Sequence, residues 1–168
     1  MRGCNVAQSP ITVLQPDAAP REVLVEFEYS LASEVSVVSP FVDHVMRSIT
    51  IFRVASDIEV DIEVALREAL LNAIIHGNKE DPQKRVYVTI FCAADGEVAM
   101  TIRDEGPGFD SSSVPDPTVP EHRMSAHGRG IYLMRALMDE VSFEEGGNVV
   151  FMRKRASLDP SRSQGRCD

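Results

Sequence analysis

Three polar side chains recur at intervals of four residues near the middle of the chain, at Glu68, Asn72 and His76. A step of four residues rotates only about 40° around an α-helix, so the three share one face. An amide oxygen is a hard ligand suited to Mg²⁺ beside phosphate oxygens, and a carboxylate one turn earlier can accept a proton from an attacking hydroxyl. A solvated polar stripe is the alternative for Glu68, and a helix C-terminal cap is the alternative for His76. Asn72 favours the chemical interpretation, because Asn is poorly suited to helix interiors.

A second polar group lies in a glycine-rich stretch some thirty residues later. Asp104 is followed closely by Gly106 and Gly108, and Phe109 ends the stretch. Glycines let the backbone approach a flat ligand without a Cβ clash, although Asp-x-Gly is also common in ordinary surface turns. Phe109 is better suited to packing than to stacking on a ligand.

A third stretch, Gly128-Arg129-Gly130, precedes an amphipathic segment. Glycines at a helix start expose backbone N–H groups to an anion, and Arg129 adds positive charge beside them. An ordinary glycine-rich helix entry is the alternative, and the preceding His127 has no assigned role. Residues 111–127 contain three prolines and no periodicity, which predicts a long mobile loop, and such loops are usually functional.

In this order and at these separations the three stretches resemble the N, G1 and G2 boxes of the GHKL ATP-binding superfamily, which includes gyrase, Hsp90, histidine kinases and MutL. The resemblance implies that Glu68 is the catalytic base, that Asn72 binds Mg²⁺, and that Asp104 accepts a hydrogen bond from the adenine amine. Guanine presents an acceptor at that position, which a carboxylate would repel. It also implies nucleotide contacts at Asn72, His76, Asp104, Gly106, Gly108, Phe109, Gly128, Arg129, Gly130 and Asn148.

Two features qualify this pattern. Asn148 stands where the superfamily often has Thr, and an amide can still donate and accept hydrogen bonds. His127, directly before Gly128, adds an unassigned titratable group near the phosphates. Residues 111–127, between the two glycine boxes, occupy the position of the ATP lid.

Within the superfamily, the run Glu68–Asn78 after a strand and a helix looks like the bacterial anti-sigma factor serine/threonine kinases, over residues 22–155. The resemblance implies ATP and Mg²⁺ as cofactors, a homodimer, binding of a sigma factor, and phosphorylation of a small STAS-type anti-anti-sigma protein. The alternative is a nucleotide-binding switch that holds a partner without phosphoryl transfer, and the intact Glu68 favours the enzyme. An orphaned ATPase domain that works with a separate histidine-kinase-like partner ranks last.

The bulk composition restricts the class of partner. The chain has 168 residues and a net charge of −9, the size of one domain with a surface that repels nucleic-acid backbones. Its three scattered cysteines form no disulfide framework, which fits a reducing cytosol. The sequence contains no apolar run of membrane-spanning length, so we expect a cytoplasmic protein with no direct nucleic-acid or membrane partner.

Hydrophobic periodicity predicts an α+β two-layer sandwich, with a mixed, mostly antiparallel sheet and helices on one face. Val23, Val25 and Phe27 alternate with acidic residues as a first strand, and Ser39 is predicted to cap a helix that begins at Pro40. The apolar face of that helix, or the first strand, is either core or a dimer or partner surface. The remaining predicted elements are a helix at 61–76, strands at 85–92 and 97–103, a helix at 130–139, and strands at 141–143 and 149–153. Residues 1–20 are predicted to be a flexible arm, 21–155 the ATP-binding domain and 156–168 a flexible tail.

Overall fold

The computed structural model describes residues 23–51, 58–108 and 126–156. These residues form a five-stranded sheet and three α-helices, which confirms the α+β class predicted from the sequence. The predicted arm at 1–20, most of the predicted tail and the segment 111–125 lie outside the described residues, so the predicted domain limits stay predictions.

The strands are β1 Val23–Ala32, β2 Arg85–Ala93, β3 Val98–Arg103, β4 Glu140–Glu144 and β5 Val149–Lys154. Their order across the sheet is β1-β2-β3-β5-β4, and each pair of neighbours is antiparallel. The prediction of a mixed sheet was therefore wrong for the part of the chain described here. The two strands joined through the last helix, β3 and β4, run in the same direction, but β5 lies between them.

The helices are α1 Val38–Ile51, α2 Glu59–Leu71 and α3 Ala126–Leu137. The predicted cap at Ser39 was wrong, because a 3₁₀ turn over Val35–Val37 already leads into α1. Helix α1 begins at Val38, one residue before Ser39, and Val38 is buried in the core. The Ser39 hydroxyl instead accepts a hydrogen bond from Arg67 at 2.9 Å.

One face of the sheet and the three helices enclose the core. Alternate residues of β2 are buried, as the period of a strand requires, and α2 contacts both α1 and α3. Phe41 and Val45 of α1 are 8% and 1% exposed, so the apolar face of α1 is internal in its described part. Of the two interpretations of that face, core packing is the one that the structure supports.

Helix α2 continues into a π-helical turn over Asn72–Gly77. The chain leaves this turn through hydrogen bonds from the amides of Asn78 and Glu80 to the carbonyls of Ala73 and Ile74, both 2.8 Å long. The helical path ends at Gly77, within a residue of the end predicted at 76. The residues in left-handed conformation are Lys79 and Glu80, at φ 60° and 55°. The wide turn also takes His76 off the regular four-residue spacing.

Candidate functional site

A cavity of about 270 Å³ opens between the π-helical turn, the loop after β3, helix α3 and the turn between β4 and β5. The polar side chains on its walls are Asn72, His76, Lys79, Asp104 and Asn148, and Gly108 adds backbone. Its apolar walls are formed by Ile102, Ile131, Met134, Phe143 and Val150, among others. A mostly apolar cleft with a few convergent polar groups is typical of a small-molecule site.

The Asp104 carboxylate is held against two glycines. The amide of Gly106 donates to Asp104 Oδ1 at 2.7 Å. A Cβ at Gly77 would overlap the Asp104 carboxylate, and a Cβ at Gly106 would overlap the Gly77 carbonyl. The π-helical turn and the loop after β3 can therefore meet only where both residues lack a side chain. Gly77 belongs to the site for this reason, which the sequence analysis missed.

The carboxyl group of Asp104 has a raised pKa. Burial is the main cause, because it disfavours the charged form, and the Gly106 amide and the positive charge of Lys84 oppose it in part. A hydrogen-bond donor on a ligand would stabilise the charged form of this half-buried carboxylate. Its position on the cavity wall suits a ligand with an N–H group.

Asn148 connects the turn before β5 to the same loop. Its side-chain amide donates to the Gly106 carbonyl at 2.6 Å, and its backbone carbonyl accepts from the Asp104 amide at 3.0 Å. Gly108 has φ 75°, and a Cβ there would overlap Asn148 Oδ1. That amide oxygen is buried and has no hydrogen-bond partner among the described residues.

The remaining predicted residues lie at the end of the cavity near α3. A Cβ added at Gly130 would lie 2.7 Å from Glu68 Oε2 and 3.3 Å and 3.4 Å from the two polar atoms of the Asn72 amide. Glu68 and Asn72 thus converge on one point of the α3 backbone, as their spacing predicted. Gly130 lets the two helices approach closely there.

Helix α3 starts at Ala126, so the prediction that it begins at Gly130 was wrong. His127 and Gly128 lie inside the helix and not in the loop before it. Arg129 is exposed near the start of the helix, where backbone N–H groups lack helical partners. A positive charge and free amides can still act together on an anion at this end.

The cavity wall includes neither Glu68 nor Gly106 nor the Gly128–Gly130 stretch, which flank it instead. Phe109 lies outside the described residues. Sequence reasoning missed Lys79 and the apolar walls. The wall residues of α3 were read only as part of a core-facing stripe, and the left-handed conformation that turns the chain at Lys79 has no sequence signal.

The fold and the cavity define an α+β domain with a small-molecule site, in which a carboxylate is held beside two glycines. Residues 31–154 match the family model described as "Histidine kinase-like ATPase domain". The chain is 37% identical over 103 residues to the anti-sigma F factor of Heyndrickxia coagulans, an alignment that covers 57% of this chain and 69% of that protein.

Two proteins of Bacillus subtilis (strain 168) are also similar to the chain. One is an anti-sigma F factor, 38% identical over 104 residues, with 58% of this chain and 69% of that protein covered. The other is the serine-protein kinase RsbW, 34% identical over 95 residues, with 53% and 59% covered. The chain belongs to the histidine kinase-like ATPase family, in the group that contains the anti-sigma F factors. The family resemblance predicted from the three glycine and polar stretches is confirmed.

None of the helices in the ranges described above is long and apolar enough to cross a membrane. The same ranges contain no group of three or more His, Cys, Asp or Glu side chains placed to hold a metal ion.

Proposed function

We propose that the chain is an anti-sigma factor that uses ATP to phosphorylate a serine or threonine of a small anti-anti-sigma protein of the STAS type. The observation that carries the proposal is the Asp104 carboxylate, fixed by Gly77 and Gly106 on the wall of a cavity that adjoins Glu68 and Asn72. Membership of the ATPase family and the similarity to anti-sigma F factors and a serine-protein kinase support it.

In this proposal the adenine base enters the 270 Å³ cavity and donates its exocyclic N–H to Asp104. Gly108 lets the backbone approach the base, Gly106 holds the Asp104 carboxylate from behind the wall, and His76 and Asn148 border the base. Phe109, Gly128 and Arg129 complete the proposed contacts, the last two toward the phosphates.

The proposed phosphoryl transfer uses Glu68 and Asn72 together, at the point where both face Gly130. The substrate hydroxyl oxygen attacks the γ-phosphorus, the bond to ADP breaks, and the hydroxyl proton passes to the Glu68 carboxylate. Mg²⁺ would neutralise charge on the phosphates when bound, with the Asn72 amide oxygen as its protein ligand. A single amide ligand fits an ion that keeps several waters and takes phosphate oxygens.

The proposed partners are a sigma factor, the STAS-type substrate and a second copy of the chain, in the cytoplasm. A net charge of −9 disfavours direct contact with nucleic acid, so any effect on transcription would pass through the bound protein. The alternative of a switch without phosphoryl transfer is less well supported. Glu68 is intact and lies beside Asn72 against the α3 backbone at Gly130, which supports a role as base.

The test uses the full chain, Mg²⁺, ATP labelled at the γ-phosphate and a co-encoded STAS-type protein. We expect acid-stable label on Ser or Thr of that protein, and none with a variant that lacks its acceptor hydroxyl. Acid-labile label on histidine would move the chain to the histidine-kinase branch. An absence of transfer while ATP binding is intact would favour the switch.

A further inference from the structure

Asn78 follows the π-helical turn directly and is the one fully buried amide side chain among the described residues, at 0% exposure. Its Nδ2 donates to the carbonyl of Arg85 at 2.9 Å, and its Oδ1 accepts from the amide of Glu105 at 2.8 Å. Both halves of the amide are therefore used. The side chain ties the end of the turn to the start of β2 and to the loop that carries Asp104.

The next residue in that loop, Glu105, makes a second set of contacts. One oxygen of its carboxylate accepts the Arg85 amide at 2.8 Å, and the other accepts the Tyr87 hydroxyl at 3.0 Å. The Tyr87 ring in turn packs under the guanidinium of Arg103, 4.7 Å from the ring centroid. These hydrogen bonds favour the charged carboxylate, the Arg85 amide most of all, and lower the pKa of Glu105.

These contacts all converge on the peptide next to Asp104. On its other side, Asp104 is held by two hydrogen bonds. Its carboxylate accepts one from the Gly106 amide, and its own amide donates one to the Asn148 carbonyl. Neither Asn78 nor Glu105 lies on the wall of the nucleotide cavity. Any effect of the two residues on a bound base must therefore pass through the position of Asp104.

We infer that Asn78 and Glu105 form a positioning bridge that sets the place of the Asp104 carboxylate and thereby the preference for adenine over guanine. A carboxylate that moves by a fraction of an ångström loses the alignment of a hydrogen bond to the base, while contacts to the phosphates are unaffected. The bridge thus governs recognition of the base and not the transfer step. The inference depends on the proposed function, because it assumes that the cavity receives adenine.

The matched variants are Glu105→Ala, which breaks the bridge at an exposed residue, and Glu105→Gln, which can keep both of its hydrogen bonds. Glu144→Ala is the control. It removes a carboxylate from a surface depression that Tyr87 also lines, and Glu144 takes no part in the bridge. Two measurements are made on each variant: amide hydrogen exchange over residues 104–106 without nucleotide, and calorimetric affinity for ATP and GTP with Mg²⁺.

We expect Glu105→Ala to exchange faster at residues 104–106 and to bind ATP about tenfold more weakly, the equivalent of one charge-assisted hydrogen bond. GTP affinity and the rate at saturating ATP should stay unchanged. Glu105→Gln and Glu144→Ala should both remain within about twofold of the unmodified chain.

Wild-type exchange and ATP affinity in Glu105→Ala would overturn the inference, as would faster exchange with no change in ATP affinity. Equal loss of ATP and GTP affinity would show a structural effect and overturn it as well. If the unmodified chain does not prefer ATP, the proposed function fails. In that case the role in nucleotide preference fails with it, and the exchange data still show whether the bridge holds the loop.

Discussion

Asp104 combines two requirements that oppose each other. Its carboxylate must be charged to attract a donor from a ligand, and its burial disfavours that charge and raises its pKa. The folded protein therefore loses stability when Asp104 ionises, because the unfolded chain ionises the same group more easily. This cost is absent below the ordinary pKa of 3.8 and is complete once the pH has risen through the raised, folded-state value.

Replacing Asp104 by Asn should remove this cost. We expect the Asp104→Asn variant to be at least as stable as the unmodified chain at pH 7, with nucleotide binding lost. Thermal unfolding at pH 7 and near pH 3.5 provides the check, since any stabilisation should shrink at the lower pH. A marked loss of stability at pH 7 would mean that the charged carboxylate holds the loop.

Glu68 has a different part, because a base acts in the transition state and not in the ground state. We expect Glu68→Gln to reduce phosphoryl transfer by about a hundredfold or more while ATP affinity changes little. Glu63→Gln, on the same helix, is the control, because that residue only forms a surface ion pair with Arg67. Kinase activity near wild type in Glu68→Gln would exclude it as the base.

At the scale of elements, the site depends on the close meeting of the π-helical turn and the loop after β3. Gly106→Ala would drive a methyl group into the Gly77 carbonyl, and backbone cannot yield as a flexible side chain can. We expect ATP affinity to fall about tenfold or more. Gly146→Ala is the control, because its Cβ would meet nothing within 4 Å and only its φ of 68° is strained. Equal affinities in the two variants would mean that the contact at Gly106 does not shape the site.

Local sequence signals predicted most of these elements and the polar residues they carry. Alternation and turn residues predicted strands β2 and β3 to within a residue or two, and spacing placed Glu68 beside Asn72. Predictions of helix starts were wrong where tertiary contacts decide them. Helix α1 begins at the buried Val38, one residue before Ser39, and α3 begins before its glycines.

The same limit applies inside the site. The sequence did not single out Gly77 as a site residue, because its neighbour in space, Asp104, is 27 residues away along the chain. The sequence did not single out Asn78 either, because its two hydrogen-bond partners are supplied by β2 and the loop after β3. A pattern within one segment cannot report a contact that a second segment completes.

At the scale of the whole molecule, β1 is an edge strand, paired only with β2 among the described residues. Leu24 on this strand is 52% exposed, and the apolar face of α1 is already used internally. Of the two dimer surfaces that the sequence suggested, β1 is therefore the one still open.

We expect the chain to sediment as a homodimer, and Leu24→Lys to shift it toward monomer. Val60→Lys is the control, since Val60 is also exposed, at 68%, but lies on α2 away from this edge. A wild-type monomer at micromolar concentration would contradict the expectation. A dimer that both variants weaken equally would show that the interface is not specific to β1.

The central claim is that the cavity beside Asp104 recognises adenine in ATP. Calorimetric titration of the full chain with ATP and with GTP, each with Mg²⁺, tests it most directly. The account predicts that ATP binds about a hundredfold or more tightly than GTP, because guanine would set an acceptor against the carboxylate. Equal affinity for the two nucleotides, or no binding of ATP, would contradict it.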